Sequence, residues 1–132
     1  MVTFEFWMLG FSIALGLVHI VAASHSASLQ RGYSWTASAR DQPVPPLVGV
    51  AGRLARSLEN FVETFPFFAA LVLEVVIADK SSELSQWGAG LYFGARVLYL
   101  PLYVFGIPVI RSLIWNVATL GIVLLVIALL WW

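Results

Sequence analysis

The sequence predicts an all-α integral membrane protein folded as a bundle of four transmembrane helices. Three observations carry that prediction. Of the 132 residues, 61% are hydrophobic and 11% are charged, whereas a soluble domain carries roughly 25% charge. A soluble monomer also needs polar side chains over the roughly one-third of its unfolded surface that stays wet. Seven basic and seven acidic residues cannot supply them, and mean hydropathy is +0.91. The charges are also unevenly placed, leaving long apolar stretches between them. Those stretches lack strand-like alternation, and backbone in hydrocarbon must satisfy its own hydrogen bonds, so they are helices. Four spans of about 20 residues with their connections fit one domain, 1–132.

The first helix is expected over about residues 4–23, where only Glu5 is charged. Small residues from Ala22 to Ala27 resemble a signal-peptide cleavage point. The segment has no Lys or Arg, however, and its apolar run exceeds a usual signal core, so it reads as a span. Residues 24–48 form the longest connection, polar and then rich in proline at Pro43, Pro45 and Pro46. A second helix is expected over about 49–78 and a third over about 84–105, joined by the polar turn Asp79–Glu83. Gly106-Ile107-Pro108 breaks the chain before a fourth helix over about 109–131, uncharged from Ser112 onward. Trp131 and Trp132 suit an interfacial anchor.

Charge sets the expected orientation. The first and third connections and the adjoining helix ends hold Arg31, Arg40, Arg53, Arg56 and Arg111, while the other face holds only Lys80. Positive residues favour the cytoplasm, which places those connections inside and both termini outside. A net charge of zero argues against a nucleic-acid partner. The absence of cysteine excludes disulfides, thiolate metal sites and a cysteine nucleophile.

The informative residues are those a membrane should exclude. Arg53, Arg56, Asn60 and Glu63 are spaced three, four and three, and so cover a stripe about 80° wide on the second helix. Glu74 continues it and Glu59 lies at its edge. On the third helix Tyr92, Arg96, Tyr99 and Tyr103 fall within about 60°. A charge at the bilayer centre costs roughly 2.5–3.5 kcal/mol on insertion scales, so these residues face the bundle interior or a cleft. Arg96 is expected to neutralise Glu63 or Glu74. A single Arg–Glu pair would be structural glue. Here Arg53, Arg56, Asn60, Glu63, Arg96, Tyr99, Tyr103 and Arg111 gather toward one membrane face, more donors than one carboxylate needs. That surplus points to a site for an anionic, polar ligand. The stripe is also too broad for one four-helix subunit to shield, which favours an oligomer.

Other candidates are weaker. His19 has no second His or acid at i+4 and reads as a packed polar contact, not a metal ligand. His25 is expected at the helix end. Ser24 and Ser26 have no organised base, so a serine hydrolase is unsupported. Phe61, Phe65, Phe67 and Phe68 read as packing, and Pro66 and Pro101 should kink or loosen their helices beside the charged stripes.

The stretch GRLARSLENFVETFPFFAALVL resembles the second-helix signature of the MAPEG family, the membrane-associated proteins of eicosanoid and glutathione metabolism. Arg53, Arg56, Asn60, Glu63 and Pro66 fill its pattern in order. ARVLYLPLYVFGIPVIRSLIW is similar to the family's third-helix pattern of Arg, Tyr and Tyr followed by Arg-Ser, here Arg96, Tyr99, Tyr103, Arg111 and Ser112. The loop Ser38–Asp41 and the short chain look most like the bacterial branch, which implies a bacterial inner membrane.

The resemblance implies a homotrimer of four-helix subunits with glutathione, as co-substrate, between neighbours near the cytoplasmic face. Family members include glutathione transferases and peroxidases. By that likeness Arg53, Arg56, Asn60, Glu63, Tyr99 and Tyr103 would hold the tripeptide and Arg96 would support them. Arg111, with Ser112, would stabilise the thiolate; no metal is implied. A lipophilic small molecule or lipid would enter from the bilayer. Two readings stay open: a glutathione-dependent transferase or peroxidase of lipophilic electrophiles, or a non-catalytic membrane protein binding lipid or a partner, with a structural polar core.

Overall fold

The computed structural model describes residues 1–131 and contains five helices in the order α1 (Phe4–Arg31), α2 (Tyr33–Ala37), α3 (Gly49–Ile77), α4 (Glu83–Val104) and α5 (Pro108–Leu130). No strand occurs among the described residues. By length and composition α1, α3 and α5 can cross a membrane. The expected fourth span, α4, does not reach the same hydropathy, because the tyrosines and Arg96 of its buried stripe dilute its apolar residues.

Helix α1 runs past the apolar stretch that marked its expected end at residue 23, continuing to Arg31. The polar residues from Ser24 to Gln30 are compatible with a helix outside hydrocarbon; hydropathy marks the apolar core and not the end of the helix. His25 therefore lies inside α1, where its Nδ1 is 3.0 Å from the Tyr33 hydroxyl. The expected connection also contains the short α2, whose Trp35 ring has the guanidinium carbons of Arg31 and Arg40 at 5.1 and 5.6 Å. Helices α3 and α4 continue unbroken through Pro66 and Pro101.

The turns that join the helices follow local chemistry. Past the end of α4, Gly106 takes φ 72°. Its N–H donates to the Tyr103 carbonyl and that of Ile107 to Leu102, both at 3.0 Å. This is a Schellman closure, which needs a left-handed residue at that point. Pro108 then opens α5 at a position where its missing N–H costs nothing. The same closure ends α3, with Asp79 at φ 54° in the left-handed position and the Lys80 N–H on the Val75 carbonyl at 2.9 Å. Ser82 and Ser85 form a capping box that starts α4.

Packing is centred on α4, which lies most extensively against α5 and also meets α1 and α3. The core is formed by Leu9, Phe68, Val72, Val75, Ala89, Tyr92, Ala95, Ala118 and Leu125. Phe68 stacks on Tyr92 with ring centres 4.0 Å apart. Where α4 crosses α5, a Cβ on Gly88 would sit 2.7 Å from the Gly121 carbonyl oxygen, and one on Gly121 would sit 2.5 Å from that of Gly88. Small residues allow such close approach between helices in a membrane. At the same end of the bundle, Glu5 is fully buried. It accepts hydrogen bonds from Ser81 Oγ, at 2.8 and 3.1 Å, and from Ser85. Lys80 Nζ donates to the Leu129 carbonyl at 2.6 Å.

Candidate functional site

The two polar stripes meet where α3, α4 and the start of α5 come together. Tyr92, Arg96 and Tyr99 are all buried, so the face of α4 picked out by their spacing turns inward. Arg96 Nη1 donates to Asn60 Oδ1 at 2.8 Å, and Nη2 donates to the Asn60 carbonyl at 2.7 Å and to Thr64 Oγ1 at 2.8 Å. Thr64 Oγ1 in turn lies 3.1 Å from the Tyr92 hydroxyl. The expected Arg96–Glu63 or Arg96–Glu74 ion pair does not form: the cation's partners are neutral oxygens, and both glutamates are exposed on α3. The reason is reach. The α3–α4 crossing brings the amide and hydroxyl one helical turn apart to Arg96 and turns Glu63 outward.

Beyond Arg96 two tyrosines lead to a second arginine. Its guanidinium carbon is 4.9 Å from the Tyr99 ring centre, Tyr99 and Tyr103 are 5.4 Å apart, and the Arg111 guanidinium carbon is 4.6 Å from Tyr103. Cations over aromatic faces are held by the ring quadrupole, which keeps Arg111 against Tyr103 without an acidic partner among the described residues. The Schellman turn at Gly106 sets this pair, because it folds the last turn of α4 back on the first turn of α5.

A cavity of about 290 Å³ lies here, lined by Asn60, Tyr99, Tyr103, Arg111, Ser112, Trp115 and Asn116. It brings together five residues named from the sequence. Trp115 and Asn116 were not among them; they follow Ser112 by three and four, a helical spacing that reads equally as packing. Ser112 Oγ donates to the Pro108 carbonyl at 3.1 Å, and Asn116 Nδ2 to the Ser112 carbonyl at 2.9 Å. Those two side chains thus retain acceptor capacity, while Arg111, the tyrosines and the free end of Asn60 supply donors. Trp115 Nε1 is a buried donor with no partner among the described residues.

The other expected site residues are placed elsewhere in the subunit. Arg53 Nε donates to the Val104 carbonyl at 2.7 Å, capping the C-terminal end of α4. Arg56 and Glu63 are exposed on α3 and do not line the cavity. His19 is buried on α1, stacked on Phe61 at 5.1 Å with Nε2 3.2 Å from Ser57 Oγ, a packed polar contact. Two further cavities lie toward the opposite end, one of about 390 Å³ beside Phe4, Trp87 and Leu91 and one of about 400 Å³ around the α3–α4 turn. Neither holds any residue of the two stripes. No group of three or more metal-ligating side chains occurs among the described residues.

Comparison with protein-family models matches the chain over residues 8–131 to the MAPEG family. No curated protein and no solved structure gives a significant match.

Proposed function

The chain belongs to the MAPEG family, and from that premise we propose that it is a membrane-bound, glutathione-dependent transferase or peroxidase of lipophilic electrophiles. The observation that carries this reading is the cavity in which Arg111 and two tyrosines are gathered with Asn60 and with no carboxylate in the lining. Glutathione offers two carboxylates, an ammonium and a thiol. Guanidinium and hydroxyl donors suit its anionic groups, and the acceptor capacity of Ser112 and Asn116 suits its donors. A thiol with a pKa of about 8.5 is mostly protonated at neutral pH, yet the thiolate is the nucleophile. Arg111, donating to sulfur, favours the charged form and raises the reactive fraction. Ser112 directs its proton to the Pro108 carbonyl and so has no donor for sulfur, which leaves thiolate stabilisation to Arg111.

The working unit we propose is a homotrimer of four-span subunits, with α4 as the fourth span. Arg56, Glu59 and Glu63 are exposed along α3 in one subunit. Charges left facing lipid are costly, so they call for a neighbouring chain to cover them. Arg56 and Glu63 of one subunit would then complete the cavity of the next. We place the arginine-bearing connections in the cytoplasm and both termini outside, in a bacterial inner membrane. The lipophilic partner would reach the thiol from the bilayer.

A non-catalytic protein with a structural polar core draws support from Arg53 on Val104 and Arg96 on Asn60 and Thr64. The absorbance of bound glutathione thiolate, followed against pH in detergent, separates the two. A titration midpoint below that of free glutathione supports catalysis. A midpoint at or above it refutes thiol activation and leaves the structural reading. Native mass spectrometry in mild detergent tests the assembly: monomers or dimers alone refute the trimer.

A further inference from the structure

Asn60 stands where the buried cation and the cavity meet. Its amide has two faces of opposite hydrogen-bonding character, and which one a ligand meets depends on what holds the other. Arg96 is 1% exposed. It grips Asn60 at two points, the side-chain oxygen at 2.8 Å and the main-chain oxygen at 2.7 Å. The rings of Phe61, Tyr92 and Tyr99 wall the guanidinium at 5.5, 5.9 and 4.9 Å, and Thr64 takes a third hydrogen bond. A guanidinium has only donors. The amide oxygen must therefore turn toward Arg96, and the NH2 group must turn away. Asn60 Nδ2 has no hydrogen-bond partner among the described residues and is not among the buried unpartnered atoms, while Asn60 itself lines the cavity.

We propose that Arg96 is a positioning residue that locks the Asn60 amide with its oxygen inward, so that Asn60 presents a fixed N–H donor to the cavity. An unrestrained asparagine can present either end and so accommodate an ammonium or a carboxylate. A locked one selects an oxygen acceptor, a ligand carboxylate or peptide carbonyl, and rejects the ammonium at that point. Pre-setting the donor also removes the ordering cost of fixing it on binding. The selectivity comes from a residue that never touches the ligand. This inference rests on the reading of the cavity as the glutathione site.

The test is titration calorimetry of the detergent-solubilised protein with reduced glutathione, beside thermal unfolding of each variant. Asn60→Asp keeps an oxygen toward Arg96, now charged, so the melting temperature should hold or rise. The cavity end becomes an acceptor, and affinity should fall at least tenfold. Arg96→Met should weaken binding about tenfold in the wild-type background but less than twofold in an Asn60→Ala background, the non-additivity expected of one residue acting through another. Asn60→Asp binding as tightly as wild type would overturn the inference, as would equal losses from Arg96→Met in both backgrounds. Wild-type protein that does not bind glutathione would refute the reading of the cavity, and the inference with it. The Asn60→Asp result suffices alone if Arg96→Met does not fold.

Discussion

Replacing Gly88 by alanine should separate α4 from α5 and destabilise the protein. A methyl group there would meet the Gly121 carbonyl oxygen at 2.7 Å, Leu125 Cγ at 3.0 Å and Leu125 N at 3.1 Å. Two of the three are backbone atoms, so no rotamer change relieves the clash, and the helices must move apart by several tenths of an ångström. Overpacking of this kind costs typically 1–3 kcal/mol, against about 1 kcal/mol gained in helix propensity over glycine. We expect the clash to prevail, since Leu125 is fully buried and the crossing is the most extensive contact in the fold. Gly94 provides the control: it lies on the same helix, and a Cβ there meets nothing within 4 Å. Thermal unfolding in detergent should show Gly88→Ala melting several degrees lower than wild type, by the usual relation of about 1 kcal/mol to a few degrees. Gly94→Ala should melt at or above wild type. A Gly88→Ala protein as stable as wild type would refute the close-crossing argument.

Arg111→Ala should lower turnover on the order of 10²-fold, more than it weakens glutathione binding, because its contact strengthens as sulfur gains charge. Arg111→Lys should restore only part, lacking the planar fork; steady-state kinetics against a lipophilic electrophile reads both. In the proposed trimer, where Arg56 of one subunit completes the cavity of the next, Arg56→Ala should cost on the order of 2–5 kcal/mol of glutathione affinity, since a ligand carboxylate would be left unpaired in a poorly hydrated cleft. Titration calorimetry measures it, and unchanged affinity would refute the placement of Arg56 at the neighbouring subunit's cavity. Asp79→Gly should raise stability on the order of 0.5 kcal/mol, because relief of the left-handed backbone at φ 54° outweighs the entropy glycine adds to the unfolded chain. A lower melting temperature would show that the Asp79 side chain contributes something its exposed position does not suggest.

Much of this protein is legible in its sequence because a bilayer leaves few options. Scarce charge and long apolar runs force helices, and their spacing bounds them within a few residues wherever hydrocarbon is involved. Helical periodicity likewise identified the inward face of α4, since Tyr92, Arg96, Tyr99 and Tyr103 can avoid lipid only by turning toward other helices. Where the chain leaves the membrane that constraint lapses. The continuation of α1 to Arg31 and the short α2 are accordingly absent from the hydropathy pattern. Partner choice was also beyond the sequence. Arg96 has carboxylates on the facing helix as formal partners, yet bonds Asn60 and Thr64, because the crossing geometry of α3 and α4 and not the attraction of charges determines which groups come within 3 Å. Arg53 shows the same thing: charge marked it as a ligand-binding candidate, while the turn at Gly106 brings the Val104 carbonyl to it. Residue type and period thus determined the fold class, the polar face and most of the cavity lining. Only the tertiary structure decided which donors are already spent, because hydrogen bonds depend on distances between helices that no single helix encodes.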